Sequence, residues 1–154
     1  MKFMSVALFT AALFTLPATA DMVDKTDHSH PKKISKEQIA GKFFSDHKAL
    51  VQKHESERGE YTTEDIENFL SADKKFDTGM YRSGPTRFTI DRYGVDEFMY
   101  FVEGGVTLTS ADGTVTEILP GDAVTIGRDW SGVWESDGYM KIYVIYSPDE
   151  PLAE

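Results

Sequence analysis

Between Arg87 and Tyr146 the chain is cut into short runs rich in Val, Ile, Thr, Tyr and Phe, each closed by a turn signal, and this punctuation constrains the fold more than any other feature. The runs are Arg87 to Ile90, Glu97 to Glu103, Val106 to Thr109, Val115 to Leu119, Ala123 to Ile126, Gly132 to Glu135 and Met140 to Tyr146. β-Branched and aromatic residues suit a pleated, half-buried surface. Asp112-Gly113, Pro120-Gly121-Asp122, Gly127-Arg128-Asp129 and Asp137-Gly138 separate the runs. Such residues reverse a chain because Gly accepts positive φ and Asp hydrogen-bonds nearby backbone. With no helical pattern between them, the runs predict an antiparallel all-β sandwich or barrel.

The segment 34–75 ahead of the strands reads as helical. Ser35 followed by Glu37 and Gln38 is a capping sequence, and Ile39, Phe43, Leu50 and Val51 make a candidate apolar face. Thr62 or Thr63 opens an expected second short helix over EDIENFL, with Ile66, Phe69 and Leu70 apolar. His47 and His54 are read as solvated helix histidines.

Residues 1–20 carry one Lys, an apolar run from Val6 to Leu16 and a small-residue end, Ala18-Thr19-Ala20. This is the pattern of a cleaved secretory signal, too short for a membrane span of roughly 20 apolar residues. The expected mature protein is therefore periplasmic or secreted, with no membrane insertion. Residues 21–33 are polar and aperiodic and read as a disordered leader, in which His28 and His30 form a weak candidate metal chelate. Residues 148–154 read as a C-terminal tail.

The length supports one domain with a single core. The formal charge is -10, and loss of Lys2 with the signal takes it to -11. So acidic a surface repels phosphate backbones, which argues against nucleic acid as a partner. Cysteine is absent, which excludes disulfides, thiolate nucleophiles and Cys-ligated metal.

The spacing of Gly84, Ile90, Arg92, Glu97 and Gly104, followed by that of Gly121, Gly127, Asp129, Gly132 and Ser136, resembles the two motifs of the cupin superfamily. The resemblance implies a double-stranded β-helix, a jelly-roll barrel, over residues 76–147 with one or two short N-terminal helices before it. It also implies a metal site at positions 90, 92, 97 and 132, where this chain has Ile, Arg, Glu and Gly. A finer similarity, carried by Trp130-Ser131-Gly132-Val133-Trp134-Glu135 and the strand Lys141-Ile142-Tyr143-Val144-Ile145, is to cupins of the (S)-ureidoglycine aminohydrolase type.

One carboxylate cannot hold a divalent ion against water, and a guanidinium at Arg92 would repel it. No metal cofactor is therefore expected, although a divalent metal stays open. Arg92 is instead expected to pair with Glu97 and take over the cation's charge, or else to point to solvent. Gly132 in place of His is expected to vacate volume beside Trp130 and Trp134, which suits a flat ligand, unless the two rings fill the core. Arg92, Glu97, Tyr100, Trp130 and Trp134 are the candidate ligand-binding residues. In the last strand Met140, Ile142, Val144 and Tyr146 form an apolar face opposite a mixed face of Lys141, Tyr143 and Ile145.

Nucleophilic catalysis lacks support, since every His precedes residue 55 and no G-x-S-x-G elbow occurs. Glu97 could act as a general acid or base if buried, whereas Asp122 fits a turn-forming role. Whether the protein is an enzyme is left open. The leading expectation is a metal-free cupin of the cell envelope that binds a small molecule. The alternatives are a metal-dependent hydrolase resembling ureidoglycine aminohydrolase, using Glu97 with unrecognised ligands or with His28 and His30 folded over the barrel, and a dimeric scaffold with an occluded barrel. A homodimer is a family expectation, since cupins pair by strand exchange or sheet stacking.

Overall fold

The computed structural model describes residues 28–152. The expected signal sequence and residues 21–27 of the expected leader lie outside the described residues.

Among the described residues, ten strands follow one short helical segment. The segment opens where the capping sequence predicts. Gln38 Oε1 accepts from the Ser35 backbone N–H at 2.7 Å, and Ser35 Oγ accepts from the Gln38 N–H at 3.2 Å. These are the two reciprocal bonds of a capping box. A π-type turn over Gln38–Lys42 then leads into α1, Phe43–Asp46, and His47 ends it in extended conformation.

Most of the rest of the expected helical segment 34–75 is β-structure. β1 (Leu50–Ser56) and β2 (Gly59–Leu70) form a hairpin that closes at Ser56 and Gly59. β2 then pairs with β3 (Phe76–Ser83), with Ile66 opposite Met80, Glu67 opposite Gly79 and Phe69 opposite Thr78. Asn68 is thus an extra residue in the ladder. In an unbroken strand Ile66 and Phe69 would point to opposite faces, but this bulge rephases the strand and brings them to the same face. An i, i+3 apolar spacing that reads as a helix is therefore satisfied by a bulged strand. Pairing with β3 overrides the weak local helical preference.

The later strands fall where the turn punctuation sets them. They are β4 (Thr86–Ile90), β5 (Asp96–Gly104), β6 (Val106–Ser110), β7 (Val115–Ile118), β8 (Ala123–Ile126), β9 (Gly132–Ser136) and β10 (Tyr139–Tyr146). Asp122 forms its turn as its residue type predicts, Oδ2 accepting from the Leu119 N–H at 2.9 Å. Two antiparallel sheets result, one in the order β1-β2-β3-β10-β5-β8 and the other β4-β9-β6-β7.

The sheets enclose one apolar core. Ile90, Met99, Phe101, Val106, Leu108, Ile118, Ile126, Trp134 and Tyr139 are buried together between them. A second cluster lies on the outer face of the larger sheet, where Phe43 and Phe44 of α1 cover Ile66, Met80 and Met140. Burying an aromatic side chain of this kind contributes roughly 1.5–3 kcal/mol, so α1 acts as a plug on the sheet. β10 serves both clusters because its side chains alternate between faces. Met140 and Ile142 meet the plug, while Tyr139, Lys141 and Tyr143 point between the sheets. Tyr143 fits there only because Gly79 lies opposite it, where an added Cβ would sit 2.5 Å from the Tyr143 hydroxyl.

Candidate functional site

Alternation along β5 turns Glu97, Met99 and Phe101 into the barrel, and β10 faces them with Lys141 and Tyr143. A carboxylate and an ammonium thereby meet in the interior. Glu97 is 5 % exposed and Lys141 6 %. Lys141 Nζ donates to Glu97 Oε1 at 2.6 Å and lies 3.1 Å from Met99 Sδ. The Tyr93 hydroxyl donates to the other carboxylate oxygen, Oε2. Both oxygens of Glu97 are thus engaged by donors, as a buried carboxylate requires.

Aromatic rings complete the surroundings of the ammonium. Its Nζ stands 5.5 Å from the centroid of Tyr81, 5.6 Å from Trp134 and 5.9 Å from Tyr139. At these separations the ring quadrupoles attract a cation that water no longer solvates. Burial, reinforced by the Glu97 charge, holds the Tyr93 phenol well above its ordinary range. Burial likewise raises Tyr81 and Tyr139, with Glu97 adding a smaller upward push on each. Tyr143 is raised by burial and by Asp65, which accepts its hydroxyl proton at 3.0 Å. These phenols are neutral donors throughout the physiological range.

The expected Arg92–Glu97 pair does not form. Arg92 Nε bonds Asp129 Oδ1 at 3.1 Å, and its Nη2 lies 3.6 Å from Asp149 Oδ2, with the side chain 56 % exposed. Arg92 follows β4 in the turn that leaves the barrel, so its long side chain keeps its head in water. Lys141, from the strand beside β5, supplies the cation instead. Sequence reasoning missed that role, and Tyr93 as well. The available signal was a Lys at an inward position between Tyr139 and Tyr143.

The other candidates separate too. Trp134 is 2 % exposed and belongs to the core, stacked on Phe88 at 6.2 Å. Tyr100 points away from the barrel on the outer face of β5, opposite Ile142 and Ala123. Phe98 shares that face, and Phe76 and Tyr146 are exposed with it. Trp130 stands at the mouth, edge-on to Tyr93 at 6.1 Å, and its Nε1 donates to Ser110 Oγ at 3.1 Å.

The volume expected beside Gly132 is not there. A Cβ built at Gly132 would sit 2.2 Å from the Thr109 carbonyl oxygen and 2.8 Å from the Trp130 ring. The β6–β9 pairing, with Ser110 opposite Gly132, brings the neighbouring strand too close for any side chain. A cleft does open beside Trp130. It holds about 210 Å³ and is lined by Leu108, Ser110, Thr116, Val124, Thr125, Ile126, Gly127 and Trp130. A larger external groove of about 560 Å³ lies between the helical segment and the sheet ends, with Arg82, Glu64 and Glu103 on its walls.

The donors present do not fit a divalent metal. Positions 90 and 132 have no donor atom, Arg92 faces away, and Glu97 is bonded to an ammonium. Among the described residues no group of three His, Cys, Asp or Glu side chains could hold a metal ion. The ring of His28 rests edge-on against Phe69 at 4.9 Å. Phe69 is on the outer face of the larger sheet, so His28 is not folded over the barrel interior.

Two antiparallel sheets with an inward-facing frame carboxylate agree with a family match: residues 70–143 match the EutQ-like cupin domain. This segment has a cupin fold. Among solved structures, a protein of unknown function from Pseudomonas syringae pv. tomato matches at TM-score 0.57 and 19 % identity, over 64 % of this chain and 45 % of that one. The chain thus spans less than half the length of that relative. A Salmonella typhimurium LT2 protein assigned to ethanolamine utilization protein Q matches at TM-score 0.50 and 12 % identity, over 66 % of this chain and 98 % of that one. At such identities the likeness shows the cupin fold alone. No curated protein matches the chain.

Proposed function

We propose that the protein is an exported, metal-free cupin that binds a small molecule at the mouth of its barrel. The observation that carries this reading is the buried bond from Lys141 Nζ to Glu97 Oε1. In a cupin frame the Glu stands at a metal-ligand position. Here its charge is balanced by an ammonium that belongs to the chain, and an incoming divalent ion would be repelled by that ammonium. The aromatic packing around Lys141 leaves ligand binding to the cleft beside Trp130. That cleft, about 210 Å³ with apolar walls and the hydroxyls of Ser110, Thr116 and Thr125, suits a small flat molecule anchored by few polar contacts. Export rests on the sequence of residues 1–20.

A hydrolase of the ureidoglycine aminohydrolase type would need donors that positions 90, 92 and 132 do not supply.

Elemental analysis of the mature protein, and of a form lacking residues 21–33, tests the reading. The expected result is no stoichiometric metal in either. Metal in both forms would overturn it, and metal in the longer form alone would assign the ion to His28 and His30. A small-molecule screen read by tryptophan fluorescence tests the cleft. The expected signal is a ligand-dependent change that Trp130→Phe abolishes, and a screen without any such change removes the binding role.

A further inference from the structure

The cleft has no charged side chain on its walls, yet a compact charged group lies on the turn that closes one side of it and on a second turn bonded to that one. The turn after β8 contributes Gly127 and Trp130 to the cleft and holds Arg128 and Asp129 between them. The turn after β4 carries Arg92 and Tyr93. The two turns are stitched together, the Tyr93 N–H donating to the Trp130 carbonyl at 2.9 Å and the Gly94 N–H to the Arg128 carbonyl at 2.8 Å. Both arginines reach one carboxylate of the C-terminal tail: Arg128 Nη1 lies 2.8 Å from Asp149 Oδ1, and Arg92 Nη2 lies 3.6 Å from Oδ2.

We propose that Arg92 and Arg128 form a clamp for the carboxylate of a small aromatic monoanion whose ring enters the Trp130 cleft, and that Asp149 occupies this clamp as an internal competitor. The proposal rests on the small-molecule reading above and names the ligand class. Three features support it.

Charge comes first. Asp129 also contacts both guanidinium groups, at 3.1 and 3.8 Å. Two arginines against Asp129 alone leave one net positive charge, which a monocarboxylate satisfies as Asp149 does. The exchange is neutral, and it takes place on a chain whose formal charge of -10 otherwise repels anions.

Geometry comes second. Guanidinium forks match carboxylate oxygens, and two of them converging on one carboxylate fix its orientation. The apolar wall of Leu108, Val124, Ile126 and Trp130 then receives a flat ring.

Exchangeability comes third. Asp149 is 57 % exposed, so its ion pairs are of the surface kind that contribute little and dissociate readily. The tail is anchored on either side of it by other bonds. Lys75 Nζ donates to the Pro148 carbonyl at 3.0 Å, and the Leu152 N–H donates to the Lys74 carbonyl at 2.8 Å. Asp149 can therefore release the arginines without the tail unfolding.

The test is calorimetric titration of the full mature chain with benzoate and with its neutral counterpart benzamide. Asp149→Asn should tighten benzoate binding about two- to fivefold, the scale of a surface ion pair removed from competition. Arg92→Gln and Arg128→Gln should each weaken it by about tenfold, the scale of one lost charge-assisted bond. Benzamide affinity should be the same in all four proteins. Benzoate binding that is indifferent to the arginine substitutions, or no tighter in Asp149→Asn, overturns the clamp. Should benzamide still bind in that case, the small-molecule reading stands without it. Absence of benzoate binding even in Asp149→Asn, where the internal carboxylate is neutral, also overturns the clamp. The fluorescence screen then decides the broader reading separately.

Discussion

Lys141 Nζ lies 2.6 Å from Glu97 Oε1, and neither side chain reaches solvent appreciably. The two residues are 44 positions apart in the chain, on adjacent strands of the larger sheet. An interior charge without its partner costs several kcal/mol, so the pair behaves as one unit.

Removing either member should destabilise the fold strongly. Glu97→Gln and Lys141→Met are each expected to lose about 3–5 kcal/mol, because each leaves an uncompensated buried charge. The double substitution should lose much less than the two losses added. Denaturant unfolding of the three variants checks this, and strict additivity would show that the contact carries no coupling.

Arg92 should behave in the opposite way. Its partners Asp129 and Asp149 are exposed, so Arg92→Met is expected to change stability by no more than about 1 kcal/mol. Combined with Glu97→Gln it should be additive within about 0.5 kcal/mol. A larger coupling in the double-mutant cycle would restore Arg92 as the partner of Glu97.

The buried phenols set an alkaline limit. Tyr81, Tyr93, Tyr139 and Tyr143 are all raised above the ordinary value of 10.0, so the unfolded chain releases these protons at lower pH than the folded one. Above that value the unfolded state binds fewer protons, and the slope of unfolding free energy with pH is negative, about 1.4 kcal/mol per pH unit for each such tyrosine. Their contribution is complete below pH 10 and is lost as the pH climbs toward the folded values. Melting temperature measured from pH 8 to pH 12 should be flat at first and then fall steeply. Tyrosine absorbance should show these phenols ionising only on unfolding.

Gly132 should tolerate no side chain. Gly132→Ala puts its methyl against the Thr109 carbonyl, so a loss of about 1–3 kcal/mol is expected from forced backbone movement. Gly132→His should not create a metal site, because its Cβ already collides with the Thr109 carbonyl and the Trp130 ring. Thermal melts with and without zinc check both statements, and a zinc-dependent rise for the histidine variant would contradict the second.

Much of the barrel is legible because its signals are local. The runs from Arg87 onward alternate with turn residues whose chemistry acts over four positions or fewer, and β4 to β10 appear where that grammar sets them. The capping box at Ser35 is equally local. The site is legible only in outline. The frame points to Glu97, yet of the two expectations for Arg92, pairing with Glu97 or pointing to solvent, only the second is met, and the pocket expected from a missing side chain at Gly132 is closed by a neighbouring strand.

What the sequence determined by itself is therefore the class of fold, the strand and turn order from Arg87 onward, the start of the helical segment and the poverty of metal donors at positions 90, 92 and 132. Each follows from residue type and short spacing, which no distant contact alters. Tertiary structure decided the rest. It made strands of residues 50–70 by pairing β2 with β3 through a bulge at Asn68, and it selected Lys141 over Arg92 as the cation beside Glu97. Both choices depend on which strands become neighbours and on which face each residue then turns inward. Strand pairing is a long-range contest of burial and hydrogen bonding, and sequence spacing alone does not encode its outcome.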